Sequence, residues 1–208
     1  MASTPQAIDA AAARLGLYRM EPQLAPLAAA QVRQRAAMLG LALPGDYVDF
    51  CSRFGAAAFD RMAVHPLPPA CPLGPWFWVD LLYAVGAAEQ WDPLALWQRG
   101  LMDRLPAGLL PIGSDPGGNL LLLGCAAREG VYAWDHEHRE LAPGDLQARA
   151  ADLRAAGVDT AGLDIDQILL HWELEHPGRV GNPSGHGNLY ALAPSFEALC
   201  AQLVEGTP

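Results

Sequence analysis

The chain has 208 residues, 51% hydrophobic and 17% charged, with 23 acidic against 13 basic residues and a formal net charge of -10. That length supports one well-buried core, at roughly 100 to 200 residues per domain. No apolar run approaches the ~20 residues of a membrane-spanning helix, and the acidic balance excludes a phosphate-tracking nucleic-acid binder, whose footprint is basic. All 13 basic residues are arginine, which removes Schiff-base and P-loop lysine chemistry from consideration. The opening MASTPQAIDAAAARLGL has no basic region followed by an apolar block, so a cytoplasmic protein without a secretion signal is expected. Cys51, Cys71, Cys125 and Cys200 are scattered with no CxxC pair, as suits small buried hydrophobes in a reducing compartment.

In chain order, Thr4 as a cap, Pro5 at the first helical position and Ile8, Ala11, Ala12 and Leu15 before Gly16 predict a first helix. A second is expected from about Pro26 to Gly40, with Gln31, Arg33, Gln34 and Arg35 on its polar face. In LALPGDYVDFCSRFG, Pro44 starts a helix, Asp46 complements its dipole and Gly55 ends it; Tyr47, Phe50, Cys51 and Phe54 form the apolar stripe. The proline-rich HPLPPACPLGP, 65–75, reads as a surface loop. PWFWVDLLY then resumes in extended form, with Trp76, Trp78 and Asp80 on one face.

Asp92 and Pro93 signal a helix through Leu94, Trp97 and Leu101 to near Pro106. The period then becomes extended in LLPIG, NLLLLGC and GVYAWDHE, with turns at 115–119 and 126–129: an antiparallel meander. Its near-continuous apolar runs predict a sheet covered on both faces. Helices follow at about 145–156 and around Ile165, Ile168, Leu169 and Trp172, then the loop HPGRVGNPSGHG. Last comes SFEALCAQL, with Ser195 as cap, Glu197 in the first turn and Phe196, Leu199, Cys200 and Leu203 buried.

Three of these stretches stand in a known order: LPGDYVDFCSRFG, then LPIGSDPGGNLLLLGC with VYAWDHEHRE, then ALAPSFEALCAQL. Together, over roughly residues 26–142 and 188–204, they resemble the SMI1/KNR4 (SUKH) family. The early helix departs from the family in ending RFGAAAF where a glycine pair is usual, and 143–187 looks like an insertion before the last helix. The resemblance implies a single α+β domain over 1–208, with a curved, mainly antiparallel sheet flanked by helices. An N-terminal helical extension (about 1–25) and a helical insertion (about 143–187) elaborate it. Bacterial members look like immunity proteins that bind and neutralise a cognate toxin, often a nuclease. Fungal members look like regulatory interaction proteins. Neither role is catalytic or implies a cofactor or metal.

Among motifs that could carry chemistry, SDPGGN lacks the following helix and the lysine of a phosphate cradle, so it reads as a turn. In DHEHRE, His136 and His138 project from one face of a strand as two metal ligands would, but HxH alone is a weak pattern. The histidines of HWELEH are five apart, about 140° around a helix, and cannot chelate together. GNPSGHG, with Ser184, is not GxSxG and follows no strand. Most of the six tryptophans, 76, 78, 91, 97, 134 and 172, are expected in the core, with one or two at an interface.

Charge is concentrated between Asp145 and Glu175, where seven acids face two arginines and half of the net charge resides. Such a surface steers a basic partner; ordinary solvation of a helix face explains the same charges. The leading expectation is therefore a non-enzymatic immunity protein that occludes a basic cognate toxin, through Asp164, Asp166, Glu173 and Glu175 with Trp172 as anchor. A regulatory or scaffolding interaction domain is the first alternative. A metal-dependent hydrolase built on His136 and His138 is the second.

Overall fold

The computed structural model describes residues 6–67, 71, 73–98, 105, 108–125, 129–136, 145–164, 167–168, 171 and 189–206. Among them the elements run α1 (Gln6–Leu15), β1 (Leu17–Arg19), α2 (Ala29–Ala37), α3 (Gly45–Arg53), β2 (Ala57–Pro66) and β3 (Trp76–Leu82). They continue with α4 (Pro93–Leu96), β4 (Leu109–Ser114), β5 (Leu120–Gly124), β6 (Val131–Trp134), α5 (Asp145–Ala155), β7 (Leu189–Ala193), α6 (Phe196–Gln202) and β8 (Val204–Glu205). The fold is α+β around one open antiparallel sheet, ordered β1-β2-β3-β4-β5-β6-β7, with β8 added beside β1 on the edge of β2. No described helix is long and apolar enough to cross a membrane.

One face carries the main core, where Ile8 and Leu15 of α1, Val32 of α2, Tyr47 and Phe50 of α3, and Phe196 and Leu199 of α6 close over the sheet. Phe196 meets Tyr47 edge-on, with ring centroids 5.3 Å apart, and Phe50 at 5.2 Å. The opposite face is sealed over β4–β7 by Leu105, Leu109, Leu122, Trp134 and Leu189. The apolar runs of β4 and β5 thus divide by alternation, Leu110, Leu121 and Leu123 to one side and Leu109 and Leu122 to the other. Over β3 the alternation is of another kind, with Phe77 and Val79 buried while Trp76 and Trp78 face out.

Several strands escape the sequence pattern. β2 is the longest described strand, and its last two residues, His65 and Pro66, lie in the expected proline-rich loop, which starts at Leu67 instead. Its register with β3 jumps between Ala58 and Ala63, so Phe59–Met62 bulge and break the alternation that would announce a strand. β1, β7 and β8 are likewise short strands added at edges. α2 begins three residues later than expected, because the Ala28 amide donates to Gln31 Oε1 at 3.0 Å and ends the helix there. The α-helical part of α4 is a single turn, with Asp92 Oδ1 accepting the Leu94 amide at 3.0 Å, and Trp97 and Gln98 continue it as a π-helix. Thr4, Pro5 and residues 99–104 lie outside the described residues.

Candidate functional site

The motif residues converge on two polar knots. In the first, Asp46 in the first turn of α3 accepts the Tyr47 amide at Oδ1 (2.8 Å) and the Glu197 amide at Oδ2 (2.9 Å). Ser195 Oγ accepts the next amide, that of Ala198, at 3.0 Å. Two of the orphan donors of α6 are therefore filled, one by a residue 151 positions away. Tyr47 adds a buried bond, its hydroxyl donating to the Tyr83 carbonyl at 2.9 Å.

The second knot is the hairpin of SDPGGN. Asp115 Oδ1 accepts the Asn119 amide at 2.8 Å, and Oδ2 accepts Asn119 Nδ2 at 2.7 Å. Gly118 takes φ +96°, and a Cβ there would meet the His136 ring at 3.2 Å. Asn119 Oδ1 in turn accepts the His136 amide at 3.2 Å and lies 3.0 Å from His136 Nδ1. The loop is a turn held by its own side chains, as the sequence implies. Asn119, which joins it to the end of β6, was not singled out by the sequence; an Asn after a Gly pair is an ordinary turn residue, and nothing local marks its long-range bond.

Of the residues expected to bind a partner, Asp164 is exposed and serves as a cap. Its Oδ1 accepts the Gln167 amide at 2.8 Å while its own amide donates to Gln167 Oε1 at 3.0 Å. Asp166, Trp172, Glu173 and Glu175 lie outside the described residues, as do His138, His176 and Ser184. α5 and Asp164 belong to the connection between β6 and β7, which are direct neighbours in the sheet. Among the described residues, β6 ends at Trp134 and its partner β7 begins at Leu189.

A cleft of about 420 Å³ opens among Leu43, Pro44, Leu123, Glu129, Pro194 and Ser195. The adjoining helix starts are occupied internally by Asp46 and Ser195, which leaves little to attract an anion. Burial pushes the thiols of Cys51, Cys125 and Cys200 up to about 12, so none is a thiolate nucleophile at neutral pH. On the outer face of the sheet, Trp76 and Trp78 are 50% and 39% exposed, and Val204 is 42% exposed. Trp134 is buried, and Trp91 and Trp97 are half-buried.

A family model described as SMI1 / KNR4 family (SUKH-1) matches residues 26–154, from the approach to α2 into α5. No curated protein and no solved structure matches the chain.

Proposed function

The chain belongs to the SMI1/KNR4 family (SUKH-1), and from that premise we propose that it is a non-enzymatic immunity protein. It binds a cognate bacterial toxin, a nuclease in this reading, and occludes the toxin's functional surface. What supports this is the use made of the motif residues. Asp46, Asp115, Asn119 and His136, the polar groups that could otherwise bear chemistry, are bonded to one another or to backbone amides and hold the fold. A protein whose motif polarity is spent internally acts through its surface. The net charge of -10 suits a partner that itself binds nucleic acid through basic side chains.

In this proposal the acids of the β6–β7 connection, Asp164, Asp166, Glu173 and Glu175, steer the encounter, and Trp172 contributes an apolar contact. The test is co-expression with the toxin-like product of a neighbouring reading frame. Growth restored in a 1:1 complex is the expected result; a toxin equally lethal with and without the chain ends the reading in favour of a regulatory role. The variant Asp164→Asn/Asp166→Asn/Glu173→Gln/Glu175→Gln keeps an acceptor oxygen at the Asp164 cap while removing the charge. Its association rate at low salt should fall on the order of tenfold and its salt dependence flatten. An unchanged association rate would place the steering charge elsewhere.

A further inference from the structure

Resting on the immunity reading, we propose that the outer face of β8–β2–β3, centred on Trp76 and Trp78, is the docking surface. Its occupant is a basic protein segment that lays an arginine or lysine over the indoles and pairs it with Asp80. Alternation along β3 puts Trp76 and Trp78 on one side and Phe77 and Val79 in the core, with the half-buried Asp80 next along the strand before Leu82 rejoins the core. At about 3.4 Å per residue the row is roughly 13 Å long.

It is also several strands wide. Val64 lies directly opposite both Trp78 on β3 and Val204 on β8, and Pro66 lies opposite Trp76. Directly paired residues share a face, so Val204, Val64 and Trp78 form a continuous apolar band about 10 Å across. The same side of the sheet over β4–β7 is closed by its own cluster. Here, in contrast, two tryptophans and a valine stand in solvent side by side, the composition and contiguity of an interface anchor.

Charge selects the occupant. A second copy would bring another chain of net charge -10 against this one, and nucleic acid or an anionic lipid surface carries the same unfavourable sign. Asp80 takes part in none of the ion pairs among the described residues. Arg61, close to the β8 edge, is held by Glu205 at 2.9 Å. A cation arriving at this face meets the Asp80 carboxylate beside two indole faces, and each attracts it.

The experiment measures binding of the toxin from the neighbouring reading frame to the wild-type chain, to Trp76→Ala/Trp78→Ala and to Asp80→Asn, alongside growth rescue and sedimentation. The expected result is a Kd raised at least 30-fold in the double variant, through faster dissociation, and several-fold in Asp80→Asn. Both indoles are already half in solvent, so the double variant should keep its thermal midpoint. Hydroxyl-radical footprinting of the wild-type complex gives a readout that needs no variant, and Trp76 and Trp78 should be protected. Wild-type binding that survives the double substitution, or indoles left unprotected, overturns the surface while the immunity reading stands. Absence of both binding and rescue by the wild type overturns both. A wild-type dimer that the double variant dissociates assigns the face to a second copy and overturns the basic occupant.

Discussion

The Asp46 carboxylate reaches from the start of α3 to the start of α6, and Asp46→Ala leaves the Tyr47 and Glu197 amides without their acceptor. The expected loss is about 1–2 kcal/mol, a fall in Tm of roughly 2–8 °C for a chain of this size. Calorimetry measures it; an unchanged Tm would mean that water replaces the carboxylate at no cost. His65, buried on the core side of β2 opposite Phe77, gives a pH prediction. Burial lowers its pKa below the ordinary value near 6.5, so the unfolded chain takes up a proton that the folded one rejects. Its stabilising contribution is complete above about pH 6.5 and is lost as pH falls toward the lower folded value. Urea midpoints at pH 7.5 and 5.5 should therefore drop less in His65→Leu than in the wild type. Equal drops would assign the acid sensitivity to other groups.

Among elements, the joint between β3 and β4 is the narrowest along the β1–β7 path, with Leu81 and Leu82 registered against Ser114 and Gly113. A Cβ on Gly113 would lie 2.4 Å from the Leu81 carbonyl oxygen, so only glycine allows the strands to meet there. Gly113→Ala should cost about 1–3 kcal/mol and speed amide exchange at Tyr83, whose N–H donates to Ile112 across this joint at 2.8 Å. Exchange rates equal to those of the wild type would show that the strands shift without parting. The elements legible in sequence were those that follow one periodic rule. α3, β4, β5, β6 and α6 carry uninterrupted stripes or apolar runs between strong caps and turns, and they formed where the pattern put them. β2 was hidden because Asp60 and Arg61 in its bulge interrupt both periods. β1 and β8 are short and exist only because β2 offers an edge. The row of Trp76, Trp78 and Asp80 was visible as a pattern, but its contiguity with Val204 needed the pairing of β8.

At the scale of the molecule, the sheet presents two unlike ends: a sealed one over β4–β7 and an open aromatic one over β8–β2–β3. The proposed division of labour follows, with long-range charge governing arrival and the aromatic face governing departure. The chain also closes on itself. β1 and β8 share one edge of β2, α1 packs on α6, and Arg14 of α1 donates to the Leu203 carbonyl. Residues some 190 positions apart are thus neighbours, and the slot between Tyr47 and Phe50 is filled by Phe196. During synthesis, then, a nascent chain that has emitted every strand through β7 still exposes the aromatic floor of its main core. It becomes a finished domain only when residues 196–205 arrive, so ribosomal stalling just short of them would yield a sticky, chaperone-dependent species and not a shorter version of the native protein.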